Sequence, residues 1–405
     1  MSHALRPLLL VGLLGLLLPG CAWFGGDDEE GPAPLLDFEP EARLEVLWRA
    51  RVGQGLGDRF TRLRPAVIRD RVYVADAYGL VEARALEDGE LLWRSRIGVP
   101  PGSFFSAFVF WDRDDDGGSF VTGGVAADDY TVYLGTEDGE IVALRSDDGE
   151  ELWRVQLSSE ILAPAASDGE RVFVLTGDGR LTALARSDGA RLWSFDTQVP
   201  VLTLRGTSSP VVVGPVVLAG FANGRVVALR ADEGQVLWEH VVALPAGRSE
   251  LERMVDVDTT PLPTNAAVYV GSYQGAVKAL RVADGNPLWE QPLSLFGRLG
   301  EAYGDVYAVD EDGTIHALDA ASGTPDWEQP GLARRGVTGP AVVPPELAVG
   351  DADGWVHLFA LSDGRPIART RVDGDGVRTA PVPVGGRLLV LGNGGRLVLL
   401  DVDRE

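Results

Sequence analysis

Short stretches that alternate apolar and polar positions, separated by turns centred on glycine, recur along most of this chain. In residues 132–153 (VYLGTEDGEIVALRSDDGEELW), two alternating stretches flank a turn at Gly139, and a second turn at Gly149 leads to a stretch that carries Trp153. Alternation with a period of two is typical of strands with one buried face, and glycine accepts the positive φ of a tight reversal. The segment therefore predicts a three-stranded meander that needs neighbours to bury its apolar face.

The same two turns recur at a spacing that indicates a β-propeller. The first turn recurs eight times, at Gly79, Gly139, Gly179, Gly224, Gly275, Gly313, Gly354 and Gly395. The second recurs seven times, at Gly89, Gly149, Gly189, Gly234, Gly285, Gly323 and Gly364. Four residues after these second-turn glycines stand Trp93, Trp153, Trp193, Trp238, Trp289, Trp327 and, after the last, Ala368. A period mostly near 40 residues with about four strands per unit predicts propeller blades.

The two ends of the chain predict how the ring closes. The eighth unit ends at Asp401, before a second turn or a tryptophan, and the missing strand stands at residues 44–48 (LEVLW). We therefore predict an all-β fold: an eight-bladed β-propeller of four-stranded antiparallel blades, closed by an N-terminal strand in the last blade. It forms one domain over residues 41–405, in which Trp48 joins the other repeat tryptophans in docking between neighbouring blades.

The first forty residues are expected to lie outside this domain. Residues 1–20 have the positive start and the apolar run of a signal peptide, too short to span a bilayer as a mature helix. Cys21, the only cysteine, directly follows a small residue and resembles the acylated cysteine of a bacterial lipobox, although an ordinary secretory signal would look similar. Residues 21–40, rich in Gly, Pro and acidic residues, read as the acylated N-terminus and a flexible tether.

Charge and the choice of polar residues narrow the function classes. With 36 Lys and Arg against 60 Asp and Glu, the net charge is −24, which disfavours nucleic acid and leaves the lipid anchor as the contact with membrane. The mature chain's histidines, His240, His316 and His357, fall in different units. Asp112, Asp114 and Asp116 begin a calcium-loop pattern that Gly123 leaves incomplete. We therefore predict no metal, no cofactor and no catalytic residues.

Four stretches outside the generic repeat resemble, in order and position, the BamB family, the lipoprotein propellers of the bacterial β-barrel assembly machinery. They are residues 52–67, 202–213, 249–262 and 350–381. The resemblance implies a non-enzymatic scaffold on the periplasmic face of the outer membrane. It would bind a periplasmic POTRA domain of BamA, the central barrel component, and assist the folding and insertion of outer-membrane proteins. Unfolded outer-membrane proteins are a further partner to consider.

The resemblance also implies which residues meet that partner. A Leu-x-Leu-Arg motif and an Asp-x-Asp motif correspond here to a set of five residues: Leu202, Leu204, Arg205, Asp256 and Asp258. Both motifs precede the first strand of consecutive units, so both are expected on one rim of the ring. The structural alternative is that the leucines belong to the core and that the arginine pairs with an aspartate to brace adjacent blades.

Two further readings remain open from the sequence. The tryptophan repeat also resembles quinoprotein-type propellers, so a ligand or cofactor in the central channel is the alternative function. The vicinal disulfide of many such enzymes is impossible with a lone Cys21. The phenylalanine-rich insertion at residues 104–111 is either a protruding apolar loop for a partner or a hairpin folded back on the propeller.

Overall fold

A computed structural model describes residues 31–57, 61–97, 120–200, 202–204, 208–245, 248–249, 253–295 and 297–404. The propeller lies within residues 32–404. Several features predicted from the sequence lie outside the described residues: the signal peptide of residues 1–20, Cys21 and the start of the tether, the insertion at 104–111, the acidic pattern at 112–116, and Arg205.

The strands fall into eight sets of four. Blade one contains β2 (Ala66–Ile68), β3 (Arg71–Ala75), β4 (Leu80–Ala85) and β5 (Leu91–Arg96), and blade two contains β6 (Val121–Ala127), β7 (Thr131–Thr136), β8 (Glu140–Arg145) and β9 (Glu151–Gln156). Blade three contains β10 (Ala166–Ser167), β11 (Arg171–Leu175), β12 (Arg180–Ala185) and β13 (Arg191–Asp196). Blade four contains β14 (Val211–Val213), β15 (Val216–Gly220), β16 (Arg225–Arg230) and β17 (Val236–Val241).

The second half of the ring repeats the arrangement. Blade five contains β18 (Leu262–Pro263), β19 (Val268–Gly271), β20 (Ala276–Leu280) and β21 (Pro287–Pro292), and blade six contains β22 (Gly300–Ala302), β23 (Asp305–Val309), β24 (Ile315–Asp319) and β25 (Pro325–Gln329). Blade seven contains β26 (Ala341–Val343), β27 (Glu346–Gly350), β28 (Trp355–Ala360) and β29 (Pro366–Arg371). Blade eight contains β30 (Val382–Val384), β31 (Arg387–Leu391), β32 (Arg396–Asp403) and, from the other end of the chain, β1 (Arg43–Arg51).

Each set is an antiparallel sheet, and the eight sheets form a ring, so the predicted eight-bladed propeller is confirmed. The short first strands of neighbouring blades contact one another, as β2 does β6 and β26 does β30. The first strands therefore surround the axis, and the fourth strands lie at the periphery. Apolar residues of adjacent blades share clusters, such as the one in which Tyr73 and Val81 of blade one pack with Val132 and Leu144 of blade two. In the part of the chain described, no helix is long and apolar enough to cross a membrane.

The predicted closure of the ring is also confirmed. Strand β1 pairs antiparallel with β32, from Arg43 opposite Asp403 to Arg51 opposite Arg396. The first and last strands of the chain thus complete one sheet, in the order β1-β32-β31-β30. An open sheet edge at this point would be a template for pairing with another chain, and the N-terminal strand covers it.

Seven repeat tryptophans join each blade to the next. Each indole Nε1 donates a hydrogen bond of 2.8–3.0 Å to a carbonyl oxygen in the turn before the fourth strand of the following blade. The pairs are Trp48 with Leu86, Trp93 with Ser146, Trp153 with Arg186, Trp193 with Ala231, Trp238 with Val282, Trp289 with Ala320 and Trp327 with Leu361. Each ring therefore bridges a seam between two sheets.

The second-turn glycines make room for these rings. A Cβ built on Gly189 would stand 2.8 Å from Cε3 of Trp153, and the φ of this glycine is +72°. The second-turn glycines of the six other blades that have this turn stand equally close to the ring of the preceding blade. Only glycine satisfies both the backbone conformation and the contact at this place. The repeat tryptophan of one blade and the second-turn glycine of the next blade thus form the two sides of one interface.

Ala368 departs from the repeat because blade eight lacks the turn against which a tryptophan of blade seven would pack. It is the residue of blade seven that corresponds to the tryptophans, and the next blade is the eighth, whose last two strands, β32 and β1, come from opposite ends of the chain. No turn joins them, so no turn carbonyl and no turn glycine is present for a tryptophan. Instead Ala368 is 3 % exposed and packs in one cluster with Ala42.

Residues 32–40 form no strand, yet they lie along the propeller. The Ala33 amide donates to the Ala333 carbonyl oxygen at 2.9 Å, and the Ala33 carbonyl oxygen accepts from Arg335 at 3.0 Å. Farther on, the Leu36 carbonyl oxygen accepts from Arg369 at 2.9 Å. The last part of the segment that the sequence suggests to be a tether thus contacts blade seven.

Candidate functional site

The two motifs proposed to meet a partner lie next to each other at one end of the propeller. The leucine motif stands in the connection from β13 to β14, and the aspartate motif stands in the connection from β17 to β18. The Leu204 amide donates a hydrogen bond of 2.6 Å to Oδ2 of Asp256. The backbone of one connection is therefore held by a side chain of the next, across the seam between two blades.

The residues of these connections differ sharply in exposure. Leu202 is 40 % exposed, Leu204 is half-buried, and Asp256 is fully buried. Behind them Thr259 fixes the second connection, because its hydroxyl donates to the Gly271 carbonyl oxygen at 2.7 Å. Leu202 is therefore the apolar side chain available at the surface, and the buried Asp256 holds the backbone beside it through Leu204.

Burial changes the chemistry of Asp256. Desolvation, followed by the negative charge of Asp258, raises the pKa of Asp256 to about 7, although the hydrogen bond from Leu204 works against the shift. Its other oxygen, Oδ1, has no hydrogen-bond partner among the described residues. A carboxyl group held in this way exchanges its proton near neutral pH.

Sequence reasoning missed a group of arginines at the same end of the ring. They stand in connections that lead into first strands: Arg62 and Arg64 before β2, Arg298 before β22 and Arg378 before β30. The available signal was an arginine two to four residues before a first strand, repeated in several units of an acidic chain. It was overlooked because arginine is ordinarily a surface residue.

Two of the histidines noted in the sequence lie against aspartates within their own blades. Nε2 of His316 lies 2.9 Å from Oδ2 of Asp310, and Nε2 of His357 lies 3.0 Å from Oδ2 of Asp351. Burial raises the pKa of each aspartate, but hydrogen bonds, first from the histidine, outweigh it, and both pKa values are lowered. Within the described ranges, no group of three or more His, Cys, Asp or Glu could hold a metal ion.

The fold and the tryptophan-bridged seams define a propeller of the class that quinoprotein dehydrogenases share. A quinohemoprotein alcohol dehydrogenase from Pseudomonas putida HK5 superposes with a TM-score of 0.66 at 15 % identity, over 89 % of this chain and 76 % of that one. A likeness at this level of identity concerns the fold alone.

Sequence similarity identifies the family within this class. The family profile described as outer membrane protein assembly factor BamB matches residues 79–329 and 311–404. The outer membrane protein assembly factor BamB of Pseudomonas aeruginosa is 39 % identical over 389 residues, 96 % of this chain and 97 % of that protein. The crystal structure of BamB from Moraxella catarrhalis superposes with a TM-score of 0.78 at 28 % identity, over 89 % of this chain and all of that one. The chain belongs to the BamB family, as its sequence predicts.

Proposed function

We propose that this protein is a non-enzymatic scaffold subunit of the outer-membrane β-barrel assembly machinery. It binds a periplasmic POTRA domain of BamA and assists the folding and insertion of outer-membrane proteins. The observation that carries the proposal is the pair of hydrogen-bonded connections at one rim, with Leu202 exposed and Leu204 held by Asp256. Full-length relatives named as assembly factors support the same role.

The geometry suits recognition of a preformed protein surface. Leu202 offers an apolar side chain in an irregular connection, and such exposed apolar residues on fixed loops commonly anchor interfaces. Because the Leu204 amide is already bonded to Asp256, the loop loses little further freedom on binding. Arg205 follows directly in the sequence and is proposed to add a charged donor to the partner.

The proposed location follows from the N-terminal segment. Acylation of Cys21 would anchor the mature chain in the outer membrane, because each buried methylene of an acyl chain contributes about 0.8 kcal/mol. Residues 21–40 would then join the anchor to the propeller on the periplasmic face.

The test is binding of the mature chain, with Cys21→Ser to keep it soluble, to the purified POTRA region of BamA. We expect Leu202→Glu to weaken this binding roughly tenfold or more, because a charge replaces an apolar anchor. Leu192→Glu is the matched control: Leu192 is 50 % exposed on β13, at the periphery of blade three. Circular dichroism verifies that both variants are folded.

Two results would contradict the proposal. One is no measurable binding of the unsubstituted protein to the POTRA region. The other is equal weakening by both substitutions, which would mean that the rim has no special part in the contact.

A further inference from the structure

Arg62, Arg64, Arg298 and Arg378 converge on the central channel at the end that carries the Leu202 connection. The two residues of blade one stand two and four positions before β2, Arg298 stands two positions before β22, and Arg378 stands four positions before β30. Because the first strands surround the axis, connections that lead into them end at the mouth of the channel. Side chains from three blades can therefore meet there.

The burial pattern indicates that these side chains point toward the channel. Leu63 is fully buried, and the half-buried Arg62 and Arg64 stand on either side of it. Arg298 is exposed and precedes the buried Leu299. In extended backbone successive side chains point to opposite sides, so a buried apolar residue turns its arginine neighbours away from the core.

Electrostatic effects connect blades that are not neighbours. Burial and, to a smaller extent, the positive charge of Arg298 together lower the pKa of Arg64 to about 9. Blades one and six are separated by two other blades on the shorter way round the ring, so these two charges act on each other across the channel. Asp258 of the connection before blade five likewise raises the pKa of Arg62, which burial lowers.

Two of these arginines lack a compensating charge. Among the described residues no carboxylate forms an ion pair with Arg64 or Arg298, and Nε of Arg64 is buried without a hydrogen-bond partner. Burying the Nε of Arg64 without a partner is costly, whereas Arg298 is exposed at the same mouth. The arrangement is all the more unusual in a chain with a net charge of −24, in which carboxylates are abundant. An anion would supply the counter-charge that these two groups lack among the described residues.

We propose that this channel mouth binds a multivalent oxyanion, whose carboxylate or phosphate oxygens are held by Arg64 and Arg298, with Arg62 and Arg378 alongside. Planar guanidinium groups suit such oxygens because they donate pairs of parallel hydrogen bonds. The oxyanion is either a small free polyanion or acidic side chains of a bound protein, and both present the same chemistry. The proposal does not depend on the POTRA assignment, because it rests on the positions of Arg64 and Arg298 and on the ion pair that both lack among the described residues.

The experiment uses citrate and inorganic phosphate as probes on the soluble mature chain, followed by calorimetry and by the melting temperature at low ionic strength. We expect citrate to bind and to raise the melting temperature. Arg298→Gln and Arg64→Gln should each weaken citrate binding about tenfold, as the loss of a hydrogen bond to a charged group does. Arg69→Gln is the matched control, because Arg69 is 74 % exposed in the turn after β2, at the other end of the blade.

A second readout separates binding from a purely structural role. Without an anion, Arg64→Gln should melt at a higher temperature than the unsubstituted protein, because it removes a half-buried charge that forms no ion pair among the described residues. The proposal is wrong if neither citrate nor phosphate binds at millimolar concentration, or if Arg69→Gln weakens binding as much as Arg298→Gln. If the POTRA region displaces citrate, the oxyanion is supplied by that partner. If both bind together, it is a free anion.

Discussion

At the scale of single residues, the carboxyl group of Asp256 couples the stability of the fold to pH. Its pKa is about 7 in the folded chain, against about 4 for an aspartate in an unfolded one. The folded state therefore binds this proton more tightly. The group's contribution to stability rises as the pH falls from about 7 toward 4 and is least favourable above 7.

We expect Asp256→Asn to stabilise the protein more at pH 8 than at pH 5. The amide oxygen still accepts the hydrogen bond from Leu204, while the cost of a buried negative charge disappears. The difference in unfolding free energy between the two pH values should be on the order of 2–4 kcal/mol. Urea unfolding at both pH values measures it. Parallel pH profiles for the unsubstituted protein and Asp256→Asn would contradict the burial of Asp256.

Single residues also show where sequence reasoning ends. The repeat tryptophans could be found because each stands a fixed four residues after a glycine, and spacing along the chain is visible in a sequence. The atom that accepts each indole hydrogen bond could not be found from the sequence, because it is a backbone carbonyl oxygen of another blade, such as that of Arg186 for Trp153. The electrostatic effect of Arg298 on Arg64 could not be predicted either, because more than two hundred residues separate them along the chain.

At the scale of strands and blades, the seam between blades seven and eight differs from the others because no turn joins the last two strands of blade eight, β32 and β1. Restoring the repeat there should fail. We expect Ala368→Trp to destabilise the protein by about 1–3 kcal/mol, because the site is packed and offers no turn to receive a ring.

The matched change removes a tryptophan from a complete seam, where the ring should stabilise the fold. Trp153→Ala removes a ring that is 8 % exposed and its hydrogen bond to Arg186, and it should cost roughly 3–5 kcal/mol. Thermal and urea unfolding of both variants compare the two seams. A more stable Ala368→Trp protein would mean that the seam of blade eight has room that the packing around Ala42 does not suggest.

The blades themselves were the most predictable elements. Gly139 and Gly149 mark their turns locally, and the φ of both is positive, so turn chemistry and strand periodicity coincide within about forty residues. Ala368 had no explanation in the sequence, because its reason is the absence of a turn between two strands from opposite ends of the chain.

At the scale of the whole molecule, residues 32–40 and strand β1 should contribute differently to the stability and closure of the ring. A mature chain shortened to begin at Glu41 loses the bonds to Ala33 and Leu36, which should cost about 1–3 kcal/mol and leave the ring closed. A chain shortened to begin at residue 52 also loses β1. It should leave β32 as an open edge and aggregate.

Size-exclusion chromatography and thermal unfolding distinguish the two truncations. The first should remain monomeric with a single cooperative transition. If the second did so as well, the eighth blade would be stable with three strands, and the closing strand would have no part in keeping the ring shut.

The antiparallel pairing of β1 with β32 has a mechanical consequence. Tension that reached Arg43, the residue opposite Asp403, would peel the two strands apart one pair at a time. The residues before Arg43 lie on blade seven, where Arg335 holds Ala33 and the guanidinium of Arg365 holds the Glu41 carboxylate through two bonds of 2.9 Å. A load from the membrane side would thus be borne first by these lateral contacts, and the clasp that keeps the ring shut would be spared.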